Sequence, residues 1–359
     1  MNPNKISDKR NSKEFRGITF SKYKKSDVKK ELLNSLVNGR IEPACYWSAE
    51  YVCAGHFLEL WDIIILFFSK NIHLGNPRLP LYLQMRFNDF KNIVVNGYIG
   101  NEIKMRNNTK IRKLFAEIIS ILALSDKKHN LSPIKVNKND FNMHEITDKL
   151  KADNVKYASR IFLSDDPKEL FIALNEFAYN LSVSKNNTIQ SCYWLEWIIE
   201  FEALCKKEKK QILECEPRQV ANVDEKLKKD IIWMIWELIL IEATNRGINI
   251  KKIVNALLDI FSIRYKKGYK KRRRFIIYNA ISVITEDINF KIPIFNDQEK
   301  IGFVKNKIDL IYRQIKKNEI KADTDYLFNN SFTGGDKNLE NSIKKLDKMN
   351  NMLYIPRDK

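Results

Sequence analysis

The sequence lacks several features that would settle a function early. Its first 17 residues are polar, with no continuous apolar core followed by a small-residue cleavage site, so no secretory leader is expected. The chain is accordingly expected inside a cell, in cytoplasm or nucleus, or in a viral factory or virion if its source is a virus. The longest apolar stretch, 231–241, is interrupted by Glu237 and reaches about half of the roughly 20 residues a bilayer span needs, so no membrane partner is expected. Cysteine is sparse and odd in number. Cys45, Cys53, Cys192, Cys205 and Cys215 fall mostly in apolar helical stretches, which predicts buried, unbridged thiols in a reducing compartment. None belongs to a repeated C-x-x-C or C-x-x-H pair, so neither Cys53 with His56 nor the three later cysteines is expected to hold a metal. The four histidines are too few and too scattered for a proton relay. No G-x-x-x-x-G-K-[ST] motif occurs, which removes the backbone cradle, phosphate-binding lysine and magnesium-binding hydroxyl of a P-loop site. No cofactor and no catalytic centre are expected.

What is present is charge of one sign, unevenly placed. The formal net charge is +19; residues 1–30 hold ten Lys/Arg against three acids, and residues 251–274 hold ten against one. These two segments supply +16, leaving the other 305 residues nearly neutral at +3. Such a distribution points to two discrete anion-seeking regions and away from a uniformly basic surface. With 44% apolar residues in 359, the remainder has ample material for a hydrophobic core. The abundance of Lys, Asn and Ile is that of an AT-rich genome, as in large DNA viruses, some protists and some low-GC bacteria.

From Asp27 onward apolar positions recur at helical spacing. Val28, Leu32, Leu33 and Leu36 share one face, predicting a helix over 26–37 that Asn38-Gly39 stops. Glu42-Pro43 opens a second, because proline is tolerated in a first turn, and it ends at Gly55. A third covers 57–69, and the two prolines between Gly75 and Pro80 close the group. Further helices are predicted over 81–95, 109–124 and 144–162, from Asp165-Asp166-Pro167 to 181, and over 189–212, 224–245, 249–266, 270–287 and 297–318, with no strand. The expected fold class is all-α, an array of stacked helical hairpins. Residues 1–20 read as a flexible basic arm and 319–359 as a mobile polar tail. The tripeptide Cys45-Tyr46-Trp47 recurs as Cys192-Tyr193-Trp194, each behind a polar loop and a small residue, Ala44 or Ser191. That echo predicts two similar halves, a helical domain over 21–125 and another over 140–318, parted by a polar break near 126–140.

The segment from Ala44 to Gly55, with Tyr46, Trp47, Ala49 and Gly55 in their spacing, and the later Ile72, Leu74, Asn76 and Pro77 resemble the C-terminal helical collar of the MgsA/RarA-type replication-recombination ATPases, relatives of sliding-clamp loaders. In that family a helix with Tyr-Trp-x-Ala and a downstream glycine is followed by a second helix and an Ile-Gly-x-x-Asp/Asn-Pro turn. The likeness covers residues 26–80, and this sequence only approximates the turn. Because the ATPase motif is absent, the resemblance implies only the collar's role, oligomerisation and scaffolding in DNA replication or repair. The Cys-Tyr-Trp helix also resembles one in proteins of giant DNA viruses.

The densest chemistry lies at 264–274. Arg264, Lys266, Lys267, Lys270, Lys271, Arg272, Arg273 and Arg274 place eight cations in eleven residues with no acid, interleaved with Tyr265 and Tyr269. Like charges this close repel and weaken the helices that carry them, so an anionic partner is expected to offset them. Gly268 marks a turn that would splay the cations over a convex corner, with the tyrosines placed to stack on bases or to pack. The expected ligand is nucleic acid, DNA or RNA; a nuclear-localisation signal and anionic protein or membrane surfaces are the other uses of such a run. Lys22, Lys24 and Lys25, with Lys29 and Lys30, surround Tyr23 and read as sequence-independent phosphate contacts or as a solvated tail. The six tryptophans read as core, Trp194/Trp197 and Trp233/Trp236 each sharing a helix face. Glu196, Glu200 and Glu202 invite a two-metal nuclease reading, but beside Lys206 and Lys207 they read better as a salt-bridged helix face. Glu237, inside an apolar run, needs a cation if ionised, Arg246 and Lys251 being the candidates. These features predict a non-enzymatic nucleic-acid-binding accessory or scaffold protein in DNA replication, repair or genome packaging. The alternative is a structural protein, such as a minor virion component, whose helical faces form a homo-oligomer or bind acidic protein partners.

Overall fold

A computed structural model describes residues 4–208 and 212–320 of the chain. Helices α1 (Lys25–Val37), α2 (Ile41–Cys53), α3 (Phe57–Phe67), α4 (Leu79–Val95) and α5 (Thr109–Leu124) come first. Two single turns, α6 (Met143–Ile146) and α7 (Lys156–Ser159), precede α8 (Phe171–Leu181), α9 (Thr188–Glu208), α10 (Ile232–Asn245) and α11 (Ile248–Ser262). A short α12 (Tyr269–Arg272) leads into α13 (Arg274–Thr285) and α14 (Gln298–Lys316). Among the described residues the only strand-like pairing is an isolated bridge between Ile18 and Lys24, so the all-α expectation holds.

Local chemistry sets the ends of these helices. Asn108 caps α5, its side chain accepting from the N–H groups of Lys110 and Ile111, while Ile111, Phe115, Ile118, Ile119 and Leu122 supply the buried stripe. Pro80 sits in the first turn of α4, and Gly55 ends α2 at φ +81, a left-handed backbone that other residues adopt only with strain. The core is aromatic where α3, α4 and α5 meet. Trp61 lies 5.1 Å from Phe87, 6.0 Å from Phe90 and 5.7 Å from Phe115, ring pairs each contributing roughly 0.5–1.5 kcal/mol beyond their burial. Five of the six tryptophans are buried and all five cysteines are buried without a disulfide.

Of the predicted helices, those over 144–162 and 224–245 are shortened most. Over 144–162 the side chains of α8 take the backbone groups that a helix would have used. Glu176 accepts from the N–H groups of Lys151 and Ala152 at 2.9 Å, and Asn175 accepts from Ala158 N–H at 3.1 Å. The segment before Ile232 is a loop built around Arg218, which donates to the Ile161 carbonyl at 3.0 Å, to Asp166 at 2.5 Å and to Glu237 at 2.8 Å. Glu237 therefore meets Arg218 and neither Arg246 nor Lys251.

Residues 10–20 of the expected flexible arm are packed into the helical unit. Phe15 and Phe20 are fully buried, the Arg10 guanidinium lies 4.7 and 4.8 Å from their ring centroids, and His56 Nε2 sits 3.0 Å from the Phe15 carbonyl and 2.8 Å from that of Ile18. His56 is thus a clasp for the arm. Nor do the expected halves form separate domains: α4 packs on α11, α14 packs on α5 and α2, and residues 10–319 belong to one compact unit. A second, small unit holds residues 7–9 and 320, where Lys9 N–H donates to the Ile320 carbonyl at 3.0 Å; the predicted tail beyond residue 320 lies outside the described residues. Within the single unit the echo keeps its register. Hairpin α1–α2 is matched by α8–α9, Cys45 and Cys192 are each the fifth residue of their helix, and Trp61 and Trp236 are each the fifth residue of α3 and α10.

Candidate nucleic-acid interface

The chain between α11 and α13 turns sharply. Arg264 takes φ +46, α12 is a single turn, and Arg273 interrupts the helix before α13 begins. Arg273 does so because its guanidinium is used at the end of α11: it donates to the carbonyls of Phe261 at 2.8 Å and Ile263 at 2.6 Å, where a helix terminus favours a cation.

The expected convex corner is turned inward only in part: Lys270 and Arg273 are buried and Arg274 is half-buried, while the other five cations are exposed. Lys270 is buried, with its ammonium 2.8 Å from Asp230 and 2.6 Å from Glu202. Lys267 pairs with Glu214 at 2.9 Å, Lys271 with Glu200 at 2.8 Å, Arg273 with Asp62 at 2.9 Å and Arg274 with Glu196 at 2.8 Å. Five of the eight cations thus hold carboxylates, most of them contributed by α9 and the loop after it. Tyr265 is buried, donating to Asp230 at 3.0 Å and meeting the Trp233 ring edgewise at 4.7 Å, so it has no face left for a base. Burial and the nearby Asp230 push its phenol far up. Arg264, Lys266 and Arg272 are exposed and have no carboxylate partner among the described residues.

The same geometry pairs the carboxylate triplet with cations. Glu196, Glu200 and Glu202 each face a different cation, and Glu196 also accepts from the Tyr278 hydroxyl at 2.8 Å. Burial raises the pKa values of Glu196 and Glu202 although Arg274 and Lys270 pull them down. Among the described residues no group of three or more His, Cys, Asp or Glu side chains is arranged to hold a metal.

The two basic segments of the sequence do meet. A cleft of about 320 Å³ is lined by Lys25 and Lys29 of α1, Glu59 and Asp62 of α3, and Tyr269, Arg272 and Arg273 of the turn, over a floor that includes Ile63, Leu66 and Ile276. Lys25 pairs with Glu59 at 2.7 Å, and the half-buried Tyr269 ring has the Arg273 guanidinium 4.4 Å and the Arg272 guanidinium 5.5 Å from its centroid. Lys29 and Arg272 are the exposed cations of this cleft without a carboxylate partner among the described residues. Lys22 and Lys24 are exposed and do not line it; Tyr23 packs edgewise on Trp47 at 5.7 Å. On the other side of the turn a larger groove, about 860 Å³, is bordered by Arg264 and Lys266. Sequence reasoning missed Glu59 and Asp62, although their spacing of three on one face of an otherwise apolar helix was the available signal. Among the described residues no helix is long and apolar enough to cross a membrane. No protein-family model, curated protein or solved structure matches the chain.

Proposed function

We propose that the cleft between α1, α3 and the 269–273 turn binds the phosphate backbone of a nucleic acid, and that the chain serves as a non-enzymatic accessory or scaffold protein in DNA replication, repair or genome packaging. The observation that carries this reading is convergence: Lys25 and Lys29 reach one cleft with Arg272 and Arg273, some 240 residues later in the chain. Two of these cations are already matched by Glu59 and Asp62, so Lys29 and Arg272 carry the unmatched charge. The collar-like segment 26–80 contributes α1 and α3 to the cleft, in keeping with the scaffold role its resemblance implies. A second reading, a structural protein that binds acidic protein surfaces, is favoured by the six carboxylates the turn already holds.

Binding of labelled single-stranded DNA, duplex DNA and RNA, followed by fluorescence anisotropy across a salt series, tests the first reading. Engagement through the cleft predicts a slope of log affinity on log salt of about −2 to −4, whereas all eight cluster cations acting together would give about −7. The double substitution Lys29→Glu with Arg272→Glu is expected to weaken binding at least tenfold without unfolding the protein, because both side chains are exposed. Wild-type affinity in that variant, or a slope near −7, refutes the cleft as the contact.

A further inference from the structure

We infer that the groove on the opposite side of the 264–273 turn docks an acidic amphipathic helix of a partner protein. It is walled by α4 and α11, which pack side by side, and closed by the 222–224 turn. Its apolar lining includes Leu58, Phe87, Val94, Val95, Val223 and Ile263. Leu58 is 41% and Val95 57% exposed, so the lining reaches the surface with apolar side chains that no segment among the described residues covers. Three cations border it, Lys91, Arg264 and Lys266, all exposed and without carboxylate partners among the described residues. Two carboxylates share the lining. Asp259 accepts from the Gln84 amide and Asp224 lies at the closing turn, so the three cations outnumber the two carboxylates.

The chemistry of walls and rim selects the occupant. No strand edge is offered, so an incoming segment cannot complete its backbone hydrogen bonds on the groove and must bring them satisfied, as a helix does. Of the aromatic rings in the lining, Phe90 and Tyr265 are buried and Phe87 packs edgewise on Trp61 at 5.1 Å. The exposed apolar side chains are therefore Leu58 and Val95, which take aliphatic or aromatic side chains at i, i+4 and i+7, whereas bases need flat aromatic faces. The three rim cations set the charge of the helix's outer face as negative. This occupant does not depend on the cleft proposed for nucleic acid, which uses other side chains.

Panning a surface-displayed library of 18-residue helical peptides against the full chain tests the assignment. Enriched sequences are expected to carry apolar residues at i, i+4 and i+7 and Glu or Asp on the opposite face. Their affinity should fall at least tenfold for Val95→Glu and for Arg264→Glu with Lys266→Glu, and should be unchanged for the Lys29→Glu, Arg272→Glu variant. Val95 is half exposed at the end of α4, and circular dichroism of Val95→Glu checks that the fold is retained. The assignment is overturned by an absence of enrichment, by enriched peptides lacking acids, or by peptides that bind Val95→Glu as well as wild type. Displacement of the peptide by a single-stranded oligonucleotide would give the groove to nucleic acid, and a wild-type dimer abolished by Val95→Glu would give it to a second copy of the chain; either result overturns the inference.

Discussion

Lys270 and Lys271 are neighbours in sequence with opposite expected roles, and replacing each by methionine separates a structural cation from a surface one. Lys270 is 6% exposed and is the cation shared by Asp230, itself 2% exposed, and Glu202. Methionine keeps the apolar stem but leaves the buried Asp230 with only the Tyr265 hydroxyl and the Ile232 N–H as donors. Removing one member of a buried pair costs about 3–5 kcal/mol, because the remaining charge stays desolvated. Lys271 and Glu200 have side chains 43% and 40% exposed, so losing that pair costs about 0–1 kcal/mol. With an unfolding entropy near 2.1 cal/mol/K per residue over the roughly 310 residues of the main unit, Lys270→Met should lower Tm by about 5–8 °C and Lys271→Met by less than about 2 °C. Urea unfolding followed by circular dichroism and tryptophan fluorescence measures the difference. A Lys270→Met protein within 1 kcal/mol of wild type, or one of normal stability that has lost oligonucleotide binding, refutes the buried assignment.

Two further outcomes are expected. At Gly75 a Cβ would sit against the Asp126 carbonyl oxygen, far inside van der Waals contact, so Gly75→Ala should cost about 3 kcal/mol in urea unfolding; an unchanged midpoint would show that residues 75 and 126 are not in close approach. For Glu117, burial raises the pKa but Lys305, Tyr82 and Arg86 outweigh it and hold it below the ordinary value. Its stabilising contribution is therefore present above the unfolded carboxyl pKa and lost as pH falls through the folded one, so Glu117→Gln should flatten the acid limb of stability below about pH 4. Glu237 is raised, chiefly by burial, so its contribution has the opposite sign: present below the unfolded value and lost as pH rises through the folded one. Urea midpoints between pH 3 and 7 distinguish the two, and a Glu117→Gln acid limb identical to wild type would refute the first.

The helical class was legible because apolar spacing and cap residues act locally. The 109–124 prediction coincides with α5, where Asn108 and the Ile111–Phe115–Ile118 stripe agree. The helix expected over 144–162 failed because side chains of α8, distant in sequence, captured its backbone groups. The basic cluster shows the same limit of a local pattern. Charge density along a chain omits counterions brought in by folding, and Asp62, Glu196, Glu200, Glu202 and Asp230 lie 40 to 211 residues from the cations they hold. The arm looked flexible because its few apolar residues are spaced too irregularly for a periodic pattern, yet Phe15 and Phe20 suffice to bury it when Arg10 lies over both rings. The convergence of Lys25 with Arg272 had no local signal, since it depends on how α1 and α3 come to face the turn.

The register shared by the two hairpins explains where part of that charge comes from. The ninth residue is Ala49 in α2 and Glu196 in α9, and both are buried. Alanine needs no partner, and α2 packs on α5 with the Cys45 sulfur 4.0 Å from the Ser120 hydroxyl, its thiol pushed up to about 12 by burial. A glutamate at the equivalent depth in α9 needs donors, and α13 supplies two, Arg274 and Tyr278, on successive turns. Arg274 is thus required by a carboxylate that the first hairpin does without. Asp230 calls for Lys270 in the same way at the start of α10. Cations recruited by buried carboxylates cannot also serve a ligand without exposing those carboxylates. An anion that the turn binds is therefore left Arg272 on the cleft side, Arg264 with Lys266 on the groove side, and Lys267 and Lys271, whose pairs with Glu214 and Glu200 are exposed.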